Sequence, residues 1–351
     1  MPLHPINPPL INSANPWATT KQDLQTLFDC PHTGAVTTRT SIIHAFKHND
    51  SIHQYTFFDP VSHSTPNPDK TTKDQHIPPN YAASLNTLGY SPIPLATYLS
   101  FITKITTTAA AASQNTQATK PFIISITGSP VDIAESYRLI SAAQLKIPSI
   151  NPLCIEINLS CPNIPDKPPP AYSKTALLEY LHALGTAQQQ QQESAAAPRI
   201  AVGLKTPPYT YADQFRTLID ALLEAAPRCE ISFLTATNTL GSSLLLRPPT
   251  NHADHSPVLS SASGLGIGGL AGAPLHPLAL GNVKTLRALL DSYDELRGVK
   301  VIGVGGVGDS DGFARMRAVG ASVVGVGTAL GREGTAVFGN ILGGAGKVAK
   351  L

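Results

Sequence analysis

Charge is scarce in this chain: of 351 residues, 25 are Lys or Arg and 23 are Asp or Glu, a formal net of +2. Neither sign gathers into long runs, so the electrostatic footprint of a nucleic-acid or anionic-lipid binder is missing. Any anionic ligand must then be held by local groups. Cysteine is sparse too. Cys30, Cys154, Cys161 and Cys229 show neither CxxC spacing nor the density of a secreted disulfide scaffold, so no metal is expected and a reducing compartment is favoured. No segment reaches the roughly 20 consecutive apolar residues that a membrane-spanning helix needs. The opening MPLHPINPPLINSANPW lacks the basic and apolar regions of a secretory signal, and a cytosolic protein is expected.

What the chain does have is apolar sequence, 42% of it, enough to bury a large core. Its length suits one β/α barrel with insertions. From residue 121 onward, short β-branched or apolar runs alternate with amphipathic stretches of helical length, the pattern of a parallel sheet covered by helices. Strands are predicted over 122–127, 154–160, 199–205, 231–237, 300–305 and 321–327. Helical periodicity marks 132–144, 211–225, 280–293 and 311–319. Upstream, 9–14 and 34–40 read as two more strands around a helix at 21–28. Eight strands close a barrel, so the predicted fold is α/β, a single (β/α)8 TIM barrel spanning 1–351 with loop insertions. The insertions lie near 48–79, read as an active-site lid or a disordered loop, and near 188–198, read as a frayed helix end. A third polar, proline-bearing loop covers 247–264 and contains nothing that resembles a cofactor box.

Barrel active sites gather at the carboxyl ends of the strands. Along 154–160 the alternation of side chains puts Ile155, Ile157 and Leu159 on one face and Glu156, Asn158 and Ser160 on the other. The apolar face should meet the helices, which turns Asn158 inward near the mouth. Cys161, Pro162 and Asn163 follow directly. A cysteine in such a protein is more often a small buried hydrophobe than a base. Here its neighbours are hydrogen-bonding groups, an environment suited to a thiol that moves protons. On the next strand Ala201, Gly203 and Lys205 share a face. A lysine at a strand end ordinarily snorkels to solvent, but one facing inward would place a fixed charge in the site. Thr237, Asn238 and Thr239 form a further polar cluster that in isolation would read as a turn. The last two strands end in GVGGVGDSDGF and GVGTALGREG, each leading into a helix. Glycines admit a phosphate to the backbone, and helix starts offer free N–H donors. One such loop is as well explained by a tight turn. Two of them, with Gly266 to Gly269 upstream, favour a bound phosphate.

The set SLNTLGY, INLSCPNIPDKPPPAY, VGLKTPPY, TATNTLGSSL, GLGIGGLAG, GVGGV and GVGTAL resembles the class 1A dihydroorotate dehydrogenases, the soluble fumarate-using branch. The resemblance runs in order from about residue 8 to residue 342. It implies one FMN at the barrel mouth, oxidation of dihydroorotate to orotate in pyrimidine biosynthesis, and fumarate as the returning oxidant in a ping-pong cycle. It also implies a homodimer. By the same matching Cys161 would be the base. Asn86, Asn158, Asn163, Asn238 and Thr239 would bind the pyrimidine, and Leu88, Gly89, Tyr90 and Arg39 its carboxylate. Ala14, Asn15, Arg39, Thr40, Asn158, Lys205, Gly269, Gly305, Gly306, Gly327 and Thr328 would hold FMN.

Two residues depart from the family's pattern. Arg39 stands where members usually have a lysine that touches flavin and substrate, and its larger planar fork requires a reshaped pocket. Asn15 stands where a glycine is usual beside the flavin. Two alternatives therefore stay open at this point: a related flavoenzyme acting on another dihydropyrimidine or enoate, and a flavin-binding protein without turnover.

Overall fold

The structure is a computed structural model that describes residues 1–66, 77–112, 120–163, 169–194, 198–247 and 255–348. In chain order its strands are β1 (Leu10–Asn12), β2 (Val36–Thr37), β3 (Tyr55–Phe58), β4 (Ala83–Asn86), β5 (Phe122–Ile126) and β6 (Leu153–Asn158), then β7 (Ala201–Lys205), β8 (Phe233–Ala236), β9 (Leu240–Ser243), β10 (Gly268–Gly272), β11 (Lys300–Val304) and β12 (Val323–Val326). The helices are α1 (Lys21–Asp29), α2 (Leu95–Ala112), α3 (Pro130–Gln144), α4 (Lys174–Ser194), α5 (Ala212–Ala225), α6 (His276–Asp291), α7 (Ser310–Ala318), α8 (Thr328–Glu333) and α9 (Ala336–Val348).

Eight parallel strands pair in the order β1-β12-β11-β8-β7-β6-β5-β2. A parallel bridge between Ile11 and Ala35 joins the two ends and closes the cylinder. The seam is short, and a side chain extends it: the Asn12 amide accepts from the Thr37 N–H at 2.9 Å and donates to the Thr37 carbonyl at 2.6 Å. That side chain satisfies peptide groups that would otherwise be buried unpaired. The predicted (β/α)8 barrel is thus the observed fold.

Period-two alternation decides what each strand buries. On β6, Ile155 and Ile157 join the large core between sheet and helices, whereas Cys154 belongs to the smaller cluster inside the barrel. Ile11, Ile123, Ala201, Phe233 and Ile302 fill that interior, and Ile6 packs on it from below. Gly203 is what admits Phe233, since a Cβ there would lie 2.3 Å from the ring. The barrel floor is therefore solid and apolar. Helix starts follow their caps. Ser129 and Asp132 form a reciprocal capping box with Pro130 in the first turn, which begins α3 two residues before the apolar periodicity does.

A second, antiparallel sheet, ordered β3-β4-β10-β9, was not expected. It carries its own small core, Phe58, Ala83, Leu85, Leu245 and Leu259. The stretch read as a lid or disordered loop supplies β3, whose Tyr-Thr-Phe-Phe run pairs with β4; residues 67–76 of it lie outside the described ones. Helix α4 continues through the glutamine run to Ser194, and residues 195–197 lie outside the described ones. No helix among the described residues is long and apolar enough to cross a membrane.

Candidate active site

Between the barrel mouth and the antiparallel sheet lies a cleft of about 1030 Å³, its open mouth included. The strand ends bring the expected residues together there. Ala14, Asn15, Arg39, Thr40, Asn158, Cys161, Asn163, Lys205, Asn238 and Thr239 line it from the barrel side, with Gly305, Gly306, Gly327 and Thr328 from the last two strands. Asn86, Leu88, Gly89 and Tyr90 come from the end of β4 and the loop after it. Gly269 does not reach the cleft. It lies in β10 behind Asn86, whose amide donates to its carbonyl at 3.1 Å, and a Cβ on it would collide with Thr239. The same strand instead presents Ala271 and Gly272.

A directed hydrogen-bond chain runs under the mouth. The buried Glu156 carboxylate accepts from Ser125 Oγ at 2.9 Å, so the Ser125 oxygen is left to accept from Thr40 Oγ1 at 2.9 Å. Thr40 in turn accepts from the Asn158 amide at 3.1 Å. The Asn158 carbonyl oxygen takes the Ser160 N–H, the Ser160 hydroxyl and the Asn238 amide. A carboxylate only accepts, so it sets the direction of every bond above it and locks both asparagines in one orientation. Across the cleft, Asn163 donates to Asn86 Oδ1 at 2.9 Å and to the Leu88 carbonyl at 3.0 Å, which ties the loop after β6 to the loop after β4.

Two cations face this array with no acid paired to them among the described residues. Arg39 donates to the carbonyls of Gly89 and Tyr90 at 3.2 and 3.3 Å. Lys205 is only 5% exposed, and among the described residues its ammonium has no hydrogen-bond or ion-pair partner. A bound anion or hydrogen-bond acceptor in the cleft would give that ammonium its partner. Cys161 shows a surface to the cleft yet is hemmed in by protein. Burial pushes its thiol up, while the Asn163 N–H, Lys205 and Arg39 pull it back down. Thr237 also lines the cleft, and its buried hydroxyl has no partner among the described residues.

The glycine loops are positioned by the helices around them. Arg315 Nε donates to His276 Nε2 at 3.2 Å, so the imidazole proton sits on Nδ1 and donates to the Gly305 carbonyl at 2.7 Å. Gly306 adopts φ +68°, and a Cβ there would press on Gly272 O and His276. No side chain caps α8 at Gly327, so its first-turn N–H groups remain available. The sequence reading missed Trp17, Tyr55 and Ser84, which also line the cleft. Trp17 packs edge-on to Tyr55 and stacked with Phe57, and Ser84 Oγ lies 2.8 Å from Thr328 Oγ1. Trp17 lies on the short turn after β1, whereas the pairing of β3 with β4 brings Tyr55 and Ser84 over the barrel, and no local pattern announces it.

A family model described as dihydroorotate dehydrogenase matches residues 61–348. The chain belongs to the dihydroorotate dehydrogenase family. A relative from Trypanosoma cruzi, named dihydroorotate dehydrogenase (fumarate), is 32% identical over 273 residues, 76% of this chain and 74% of that one. Its namesake from Trypanosoma brucei brucei is 30% identical over 73% of this chain and 70% of its own. A ligand-free dihydroorotate dehydrogenase structure from Eimeria tenella superposes with a TM-score of 0.68 at 17% identity, covering 97% of this chain and 84% of that one, a likeness of fold.

Family members generally bind FMN, and the cleft suits that group on its own terms. It has the volume and, among the described residues, two cations without acids, a Thr237 hydroxyl without a partner and uncapped amides at Gly327. Asn15 does not obstruct it. Its side chain folds back on its own loop, donating to the Ser13 carbonyl at 2.7 Å and accepting from the Trp17 N–H at 2.9 Å.

Proposed function

We propose that this chain oxidises dihydroorotate to orotate with a bound FMN and passes the electrons to fumarate. The observation that carries the proposal is the grouping of one thiol, four asparagine amides and two acid-free cations at the mouth of a barrel of this family. FMN, when bound, supplies the acceptor and later the donor of hydride. Lys205, Gly305, Gly306, Gly327 and Thr328 would hold it, with Ala14, Asn15, Thr40 and Asn158 along its edge. Gly269 would act from behind, through Asn86 and Thr239.

Asn158, Asn238, Asn163 and Asn86 carry fixed amides that would orient a flat pyrimidine, with Thr239 beside them. The hydrogen-bond chain to Glu156 keeps the Asn158 and Asn238 amides from turning, and the contact between Asn163 and Asn86 holds the other two. Arg39 and the backbone of Leu88, Gly89 and Tyr90 would receive its carboxylate, the guanidinium fork replacing a single ammonium. Cys161 as thiolate then takes the proton from the ring carbon next to the carbonyl. Lys205 holds positive charge where negative charge collects. Fumarate, a planar dianion, would enter the vacated site, and the Cys161 thiol would return a proton to it. A homodimer in the cytosol, implied by the resemblance, belongs to the same proposal.

The test is anaerobic. Flavin-loaded protein mixed with dihydroorotate should lose its yellow absorbance and regain it on addition of fumarate. Bleaching by another dihydropyrimidine or an enoate but not by dihydroorotate would refute the substrate assignment. Flavin binding with no bleaching by any of them would refute turnover itself.

A further inference from the structure

A second cavity of about 270 Å³ lies behind the first. Tyr90, Asn158 and Cys161 line both, so these three side chains form the partition between them. On the far side stand Thr127, at the end of β5, and Tyr180, on α4. Both are buried. Leu159, Pro169 and Pro170 complete the wall. The space has room for about one ordered water, and polar groups to hold it. Nothing in the chemistry derived above uses this cavity.

We propose that the proton Cys161 takes from substrate leaves through this second cavity, relayed by the Tyr90 phenol and the Thr127 hydroxyl. The inference rests on Cys161 being the base. While a substrate fills the main cleft, water is kept from that side of the thiol, so the proton either stays on sulfur until fumarate collects it or leaves across the partition. The partition offers the other side. In the step, the Cys161 S–H bond breaks as the Tyr90 oxygen gains that proton. The former Tyr90 proton passes to the Thr127 oxygen or to a water beside it, and Thr127 gives its own proton to that water, which exchanges with solvent. One proton reaches solvent, Cys161 is again a thiolate and nothing changes oxidation state. For fumarate the same route runs inward.

Several features agree with a relay. Burial, then the neighbouring Cys161 charge, raises the Tyr90 phenol well above its ordinary value, so it stays protonated and passes protons without becoming a competing base. Thr127 faces it across the same small cavity and partly opposes that rise. The groups facing the thiol are Lys205 and Arg39 from the cleft and Tyr90 from the partition. Tyr180 faces Tyr90 from α4, with Glu179 and Asp132 beyond it. Its hydroxyl donates to the Gly128 carbonyl at 2.8 Å, so it serves as fixed wall while Thr127 carries the proton.

The experiment follows flavin bleaching and proton release together, using a pH-indicator dye in weakly buffered solution, in water and in deuterium oxide. In the wild-type holoenzyme the two should coincide. Tyr90→Phe keeps the ring and its packing on Phe46 but removes the hydroxyl; Thr127→Val keeps the shape. In each, proton release should lag bleaching at least about tenfold and turnover should show a larger solvent isotope effect, and in Thr127→Val orotate affinity should stay within about twofold of wild type. A readout free of turnover is iodoacetamide alkylation of Cys161 against pH in cofactor-free protein, located by peptide mass spectrometry. Loss of the phenol should move its midpoint upward. The relay is overturned if in both variants proton release keeps pace with bleaching and alkylation keeps its wild-type pH dependence. If dihydroorotate fails to bleach the wild type, the reading of Cys161 as base falls first and takes the relay with it.

Discussion

Cys154 and Cys161 lie seven residues apart, one within β6 and the other just past its end, and share no chemistry. Cys154 sits in the apolar floor, where burial alone pushes its thiol up to about 12. Cys161 sits at the mouth, where burial also raises the thiol but an amide and two cations oppose it. The two lysines repeat the contrast. Lys120, at the floor end, is held by the carbonyls that end α1, Phe28 at 2.6 Å and Cys30 at 2.7 Å. Lys205, at the mouth, has no partner among the described residues. A barrel thus satisfies its own polar groups at one end and leaves them for a ligand at the other.

The strongest way to break this comparison is to remove each thiol in turn. Cys161→Ala should still turn yellow with FMN yet bleach with dihydroorotate on the order of 10²- to 10⁴-fold more slowly in stopped flow. Cys154→Ala should bleach normally and lose about 1 kcal/mol of stability in a denaturant melt. Equal effects from both would abolish the distinction between floor and mouth.

Next comes the lysine pair. Lys205→Met should weaken FMN binding by roughly 10- to 100-fold, the range set by losing one charged contact. Trp17, the only tryptophan in the chain, lines the cleft, so quenching of its fluorescence reads that affinity without turnover. Lys120→Met should leave the affinity unchanged.

The raised Cys161 thiol sharpens the comparison through pH. Thiolate is the active form and its pKa lies above the ordinary value, so the bleaching rate at saturating substrate should climb about tenfold per pH unit below that pKa. A rate that falls as pH rises through this range would refute a thiolate base.

The smallest effect belongs to the floor. Burial pushes the Lys120 ammonium down from 10.5 to about 8. Between those values the folded chain binds fewer protons than the unfolded one, so this group makes stability rise with pH across that window. Lys120→Met should flatten that rise in melts taken from pH 8 to 10.

The sequence carried much of this arrangement, for reasons that are local. Alternation along residues 154–160 and 199–205 is enough to turn Asn158 and Lys205 inward, because a strand's side chains have only two faces to choose between. The glycine loops after β11 and β12 announce themselves in the same way. The places of Gly269, Tyr55 and Ser84 were not legible, since β3, β4, β9 and β10 come from separate parts of the chain and only their pairing sets them over the barrel, and that of Trp17 follows from its packing on Tyr55 and Phe57. Nor does any pattern say that Tyr90 stands against Cys161.

Strand period, turn chemistry and the order of motifs were set residue by residue, and they determined a barrel with its chemistry at one rim. Which of those residues touch, which cation remains without an acid and where a second cavity opens were decided by long-range packing. Those properties belong to pairs of residues up to hundreds of positions apart, and periodicity within a single segment holds no information about them.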